Sequence, residues 1–380
     1  MAAFFIQGTL LANWFPRIPD VQAKLGLGPA ELAVGILGMP IGSFIALMVA
    51  GRIIEVLTPR LVIVLGTTAY CLAMSLPGWA WDIPSLFLGL MFLGALYVCV
   101  DVAINVQAAA TQRRCGRRIM NTCHGFWSLG SMLGAIVGGG FAEYGVATSW
   151  HLLVVGLLTI APALAIARGL PTLADEAAVA AARGPAFSLP SVAMLGLCVF
   201  AFGIVLTELA TRTWAAVFLR EVVAASPAAT GLGYAGFSLA MAAGRFLGDK
   251  VSERIGAVAI ARGCALAAIV GIVIVLTATT TTVAIVGLAV VGLGASVGYP
   301  LAVTAAAELG DRAAAINVSA LALVAFSSSL VGPPLVGFVA EVAGLRIGLS
   351  VIVPFLLASA LLAGELGRRA RGLDAPRPSD

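Results

Sequence analysis

The sequence predicts an all-α membrane protein, with twelve transmembrane helices in two pseudo-symmetric six-helix bundles. Three observations point there. Of its 380 residues 61% are hydrophobic and only 11% charged, whereas soluble domains carry about 25% charged residues, so the chain lacks the polar surface to fold in water. Apolar segments of membrane-crossing length recur from end to end. The basic residues fall heavily on alternate loops, as they do in membrane proteins whose cytoplasmic side is positive.

In order, the apolar segments lie at about 2–16, 31–51, 61–81, 84–108, 122–145 and 149–167, then at 191–217, 229–247, 257–277, 283–305, 314–341 and 347–364. A bilayer core needs about 20 apolar residues per helix, and no run of ten alternating residues suggests a barrel strand. Chain breakers separate the segments: Pro16 and Pro19, Gly26 to Pro29, Thr58-Pro59, Asp82 to Pro84, Gln112 to Arg118, Ser226-Pro227 and Thr279 to Thr282. Span one is short, so either its start lies upstream of this sequence or the helix is abbreviated. Met1 to Phe15 lacks the basic region and cleavage site of a secretory signal.

With twelve spans and both termini on the cytoplasmic side of a cell inner membrane, seventeen of the 22 Lys and Arg residues are cytoplasmic. Arg17, Lys24, Arg212, Arg220 and Arg346 remain for the other side and the membrane interior. An eleven-span layout scrambles this bias. The longest polar stretch divides the chain almost equally, which gives an N-terminal bundle 1–167, a cytoplasmic linker 168–190, a C-terminal bundle 191–366 and a cytoplasmic tail 367–380.

The two halves echo each other. After span two comes Gly51-Arg52-Ile53-Ile54-Glu55 with Arg60 following; after span eight comes Gly244-Arg245-Phe246-Leu247-Gly248-Asp249-Lys250, then Glu253-Arg254. Glycine lets helix ends approach, and Gly51, Glu55, Arg60, Arg245 and Asp249 are expected to form acid–base latches between neighbouring helices on the cytoplasmic side. At these loops, and at Asp101 to Gln107, His124 to Gly130 and Gly332 to Gly337, the sequence resembles the major facilitator superfamily, in a bacterial branch near the fucose/proton symporters. Its first-half motif departs from the family pattern: Glu55 replaces the usual Asp, Val56 a basic residue and Thr58 a turn glycine. The resemblance implies two six-helix bundles rocking about a central cavity, with spans three, six, nine and twelve at the periphery.

The polar residues within the spans agree with that layout, because those four spans carry no charge in their apolar cores. A polar side chain in hydrocarbon is costly and by default functional. Asp101 and Asn105 are four apart and share a helix face, and His124 begins span five at similar depth; Asp101 assisted by His124 forms a proton site or a structural latch. Glu208 and Arg212, again four apart on span seven, either neutralise each other or divide the work, Glu208 carrying the coupling proton and Arg212 holding an anionic or polyhydroxyl substrate. Asn105, Gln7, Asn13, Trp127, Tyr234, Tyr299 and Asn317 complete the candidate substrate-binding residues, with packing and interhelical hydrogen bonds as the alternative. Trp14 and Trp214 are stacking surfaces or interfacial anchors. Gly130, Gly134 and Gly138 make a smooth stripe for close helix contact, and Pro333-Pro334 should kink span eleven.

Other classes fall away on the motifs. Gly125 to Gly130 misses a nucleophile elbow, Gly292 to Gly298 misses a dinucleotide fingerprint, and there is no P-loop, so the chain is not expected to be an enzyme. A net charge of +4 with no long basic run gives no reason to invoke nucleic acid. The six cysteines form no C-x-x-C pair and read as packing residues, so no cofactor or metal is expected. The expected function is secondary active transport by a monomer in the lipid bilayer, coupled to protons, of a small-molecule substrate that is sugar-like or an organic anion. A drug/proton antiporter for hydrophobic compounds and a non-transporting membrane receptor on the same fold are the alternatives.

Overall fold

The computed structural model describes residues 1–116, 119–170 and 188–367, apart from the side chain of Glu55. The acidic middle of the expected linker and nearly all of the tail lie outside these residues. Among the described residues the chain is almost entirely helical, with short turns between helices and without a strand. The spans are α1 (Ala2–Ala12), α2 (Pro29–Ile54), α3 (Pro59–Trp79), α4 (Ile83–Cys115), α5 (Met120–Glu143) and α6 (Thr148–Gly169) in one bundle. The other bundle holds α7 (Val192–Glu221), α8 (Pro227–Ile255), α9 (Ala257–Thr277), α10 (Thr281–Glu308), α11 (Ala314–Ala343) and α12 (Leu345–Gly367).

Ten of these are long and apolar enough to cross a membrane by themselves. The two that are not, α1 and α8, differ for physical reasons. The chain of α1 continues through a 3-10 turn, Phe15–Arg17, into a short helix, Ile18–Leu25. Pro16 and Pro19 have no backbone N–H to keep one regular helix going. Span one is therefore broken and ends at Leu25, where the sequence suggested an abbreviated helix ending near residue 16. Trp14, Ile18 and Val21 bury themselves against the protein, so neither Trp14 nor the fully buried Trp214 is an interfacial anchor. Span α8 is rich in Gly, Ala, Ser and Thr before Arg245 because it is wedged between α5 and α10, leaving only a narrow face with Leu232, Leu239 and Leu247 exposed.

The same pairing recurs in both bundles. Span α1 packs on α5 as α7 packs on α11; α2 packs on α4 as α8 on α10; and α3 packs on α6 as α9 on α12. Missing side chains make these approaches possible. A Cβ at Gly130 would lie 2.0 Å from the Phe5 carbonyl oxygen and one at Gly134 2.2 Å from that of Thr9, so the glycine stripe of α5 faces α1. On the other side of the repeat, a Cβ at Gly292 would meet the Phe237 carbonyl oxygen at 2.2 Å, closing α8 onto α10. Pro333 and Pro334 sit inside α11, which remains one continuous helix; the Trp214 indole N–H donates to the Pro333 carbonyl at 2.9 Å and ties α7 to it.

Residues 170 and 188 mark one side of the molecule, the linker side. On it, Asp311 accepts from the Ser191 hydroxyl and from Asn317 Nδ2, the latter at 2.7 Å, and these bonds, Ser191 first, hold its carboxyl below the usual carboxylate range. On the opposite side, Lys24 Nζ donates to the carbonyls of Gly78 and Ala80, and Arg346 donates to those of Leu276 and Ala278. Basic side chains there answer the negative carboxyl ends of α3 and α9, which explains why some escape the charge bias.

The repeat also exposes a strained position. Gly256, between α8 and α9, has φ +87° and ψ 151°, while Thr58, between α2 and α3, has φ +65° and ψ 149°. Such a conformation is essentially reserved for glycine and costs about 1–3 kcal/mol with a side chain; the Thr58 hydroxyl recovers part of this by accepting from Leu61 N at 3.4 Å. Thr58→Gly is expected to raise the melting temperature of the purified protein, measured in detergent, since glycine at a helix N-cap loses only a few tenths of a kcal/mol against a hydroxyl.

Candidate functional site

Four helix faces converge where the bundles meet. On α4, Tyr97, Asp101 and Asn105 follow one another at steps of four; on α5, His124, Trp127 and Ser128 share a face; α7 contributes Glu208 and Arg212; and α8 presents Tyr234, Met241 and Arg245 at steps of seven and four. By 1.5 Å per residue, Glu208 lies about 24 Å along α7 from Val192, close to the middle of that span.

The centre is a three-charge cluster. Glu208 Oε1 is the shared acceptor: it pairs with Arg212, one turn along α7, and with Arg245 of α8 at 3.5 Å. Both guanidiniums also reach across to the other bundle. Arg245 Nη1 donates to Ser128 Oγ at 2.9 Å, and the Arg212 guanidinium lies 4.6 Å above the centre of the Trp127 ring. Cation–π contacts of this kind are worth about 2 kcal/mol or more when desolvated. All three charged side chains are at least 85% buried. The sequence expectation of Arg245 as a cytoplasmic latch is thus corrected: α8 runs on to Ile255, so Arg245 lies inside the span, about 15 Å from its linker-side end. Asp249, one turn further, does meet the other bundle near that end, accepting from Asn121 Nδ2 at 2.6 Å.

Asp101 forms a separate centre on the α1–α4 side. Asn105 Nδ2 donates to its backbone carbonyl at 2.8 Å and to its carboxylate at 3.3 Å. The Gln7 amide, in the orientation that satisfies both of its ends, donates to Asp101 Oδ1 at 3.2 Å. Its partners are therefore neutral amides, and no cationic side chain among the described residues forms an ion pair with it. Tyr97 lies within electrostatic reach of both centres, of Asp101 first and then of Arg212 and Glu208. His124 stands edge-on to Phe4 at 5.4 Å, and the charges that act on it are Arg245 and Glu208, so it belongs with the cluster and not with Asp101.

Other candidates are placed elsewhere. Asn13 Oδ1 faces His151 Nε2 at 2.9 Å and its Nδ2 donates to Thr9 O; with Arg17 donating to Val146 O and Thr148 Oγ1, this network ties α1 to α6. Tyr299 packs edge-on to Phe326 at 6.0 Å. Asn317 is committed to Asp311. Tyr234 is the exception: it stays within electrostatic reach of Arg212 and Glu208 and stacks on Phe15 at 4.8 Å, across the bundle interface. Arg60 donates to the Arg168 carbonyl at 2.9 Å, tying α3 to the end of α6; Gly51 is half-buried in α2, and the side chain of Glu55 lies outside the described residues. Tyr97, Ser128 and Met241, whose sulfur is 3.9 Å from Arg212 Nη2, were not anticipated. The four-residue step from Tyr97 to Asp101 was the available signal for the first.

Contacts between the bundles are uneven from one side to the other. Opposite the linker, Glu143 at the end of α5 accepts from Ala228 N at the start of α8 at 2.9 Å, and Glu341 at the end of α11 accepts from Ala30 N at the start of α2 at 3.0 Å. These are repeat-related clamps, each a carboxylate on the positive N-terminus of a helix from the other bundle. Arg220 adds a 3.6 Å pair with Asp20. Span α11 meets α2 chiefly through its Pro29–Ile36 portion, so the interface between those helices is tight opposite the linker and loose towards it.

Known proteins bear on this arrangement. The family model of the Major Facilitator Superfamily matches residues 1–308. An uncharacterized MFS-type transporter of Yersinia pestis is 30% identical over 366 residues, which cover 96% of this chain and 94% of that protein. Among solved structures, the nucleoside transporter NupG superposes with a TM-score of 0.71 at 14% identity, covering 96% of each chain. A single-residue variant of the fucose:proton symporter FucP of E. coli gives 0.62 at 16% identity, covering 97% of each. At such identities the two structures speak for the fold.

If the carboxylate clamps hold the far side shut, removing them should loosen it. A cysteine placed at Ala135, which is fully buried on α5, should react several-fold faster with a membrane-impermeant thiol reagent in Glu143→Ala/Glu341→Ala than with both carboxylates present. An unchanged labelling rate would show that the clamps do not gate.

Proposed function

The chain belongs to the Major Facilitator Superfamily, and we propose that it is a proton-coupled secondary transporter that moves a small polar solute by alternating access. The observation that carries this reading is the charged cluster on the interface, Glu208, Arg212 and Arg245, held by two helices of one bundle and touching Trp127 and Ser128 of the other. A ligand bound there touches both bundles, so its affinity depends on their relative position, which is what a rocking carrier requires. Residues 1–167 and 191–366 are the rocking units in this proposal, joined by 168–190. The linker side faces the cytoplasm of a bacterial cell across the inner membrane, and the chain works as a monomer.

Asp101, which is half-buried, is the better proton carrier of the two candidate acids. Protonating Glu208 would leave two largely buried guanidiniums without a counter-charge, which costs several kcal/mol. Protonating Asp101 breaks no ion pair, because its partners are the amides of Gln7 and Asn105. Tyr97 and Tyr70 are the other titratable groups that face it. One proton moving down a pH difference of one unit yields about 1.4 kcal/mol, enough to bias a two-state carrier about tenfold. Glu208 then serves to neutralise the arginines and His124 to pack beside them.

Purified protein in vesicles containing a pH-sensitive dye, given an imposed pH gradient and a panel of sugars, sugar acids and organic acids, tests the reading. At least one solute should accumulate against its gradient and acidify the lumen; Asp101→Asn should abolish accumulation while leaving exchange of labelled for unlabelled solute. Transport indifferent to the gradient and unchanged in Asp101→Asn would contradict proton coupling.

A further inference from the structure

The cluster carries unequal charge. Arg212 and Arg245 bring two positive charges and Glu208 one negative, leaving an excess of one in a largely buried site. Burying uncompensated charge costs several kcal/mol, so the site is built to receive an anion. The donors are not used up: the Nε atoms of Arg212 and Arg245 and the indole N–H of Trp127, whose side chain is about 95% buried, have no hydrogen-bond partner. Guanidiniums bind planar carboxylates through paired N–H bonds, and Glu208 engages each of the two through a single oxygen, Oε1, which leaves their forks open to a second carboxylate.

We propose that the transported solute is a small monocarboxylate, whose acid group binds Arg212 and Arg245 beside Glu208 while its body lies towards Trp127, Tyr97 and Tyr234. This rests on the interface site being the transport site. One negative charge cancels the excess of one; a dianion such as hydrogen phosphate would reverse it. Two consequences follow. If one proton rides on Asp101 with each monocarboxylate, the loaded carrier moves no net charge. Accumulation should then follow the pH gradient and ignore the membrane potential.

Charge selectivity at the site can be read without knowing the natural solute. Iodide quenches tryptophan emission on contact and is a monovalent anion; acrylamide is a neutral quencher. The Trp127 contribution is isolated by subtracting a Trp127→Phe variant. Iodide should quench it saturably in the millimolar range, benzoate should relieve that quenching at least several-fold better than sulfate or benzamide, and Arg245→Gln should reduce it to the level seen with acrylamide. Circular dichroism and melting of Arg245→Gln establish that the variant is folded; should it not fold, Arg212→Lys, which keeps the charge but loses the fork, takes its place and should weaken benzoate relief while retaining iodide quenching. Equal quenching by iodide and acrylamide in the parent protein, or relief by benzamide equal to that by benzoate, would overturn the proposal. Proton coupling could survive that result, and a pH-indifferent carrier that still selects benzoate would leave the anion site standing.

Discussion

One carboxylate compensating two guanidiniums at the junction of the bundles is the interaction on which the rest depends. Glu208 is held within one bundle, but both of its partners extend to the other, Arg245 by a hydrogen bond to Ser128 and Arg212 by lying over Trp127. At mid-span these side chains are only 11–15% exposed, so little hydration is left to offset their charge and partners in the protein or in a ligand must do so. The packing serves that demand. Glycines on α5 bring α1 close, and the small residues of α8 let it run between α5 and α10, so that Arg245 arrives at the centre and not at the lipid.

The repeat fits the proposed movement of the bundles about this site. Equivalent helices pair in the same way in both bundles, and equivalent carboxylates, Glu143 and Glu341, clamp equivalent helix starts on the side opposite the linker. On the linker side the Asn121–Asp249 bond joins α5 to α8, while α11 and α2 meet chiefly at their far ends. In the proposed alternating-access cycle, identical pairing with unequal clamping corresponds to one of two states, in which the helix cores persist and the end contacts exchange. Small end contacts suit this role, because each is worth about 0.3–1 kcal/mol at an exposed helix terminus and can be broken by the binding energy of a small solute.

The fold was legible because hydropathy and charge bias are sums over many residues. The site was legible only in part. Asp101 with Asn105 and Glu208 with Arg212 announce themselves as polar pairs four residues apart in apolar helices, and a helix keeps such pairs together whatever surrounds it. Arg245 was misplaced because it follows a glycine in a motif that resembles a loop, and its burial is set by how far α8 continues, which depends on contacts with α5 and α10. Asn13 reads like a cavity residue, yet its partner His151 is 138 positions away. The clamps escaped notice for a related reason: a glutamate at a helix end is ordinary, and what Glu341 does depends on Ala30, 311 residues distant.

The most direct test is a double-mutant cycle on thermal stability between Glu208 and Arg245, using Glu208→Gln, Arg245→Gln and the double variant in identical detergent. If Glu208 is the counter-charge to both arginines, Glu208→Gln leaves two unpaired cations and destabilises strongly, by about 3–5 kcal/mol for a broken buried pair. Removing Arg245 as well should return much of the loss, leaving the double variant more stable than Glu208→Gln alone. Additive losses, with the double variant the least stable of the set, would contradict the account.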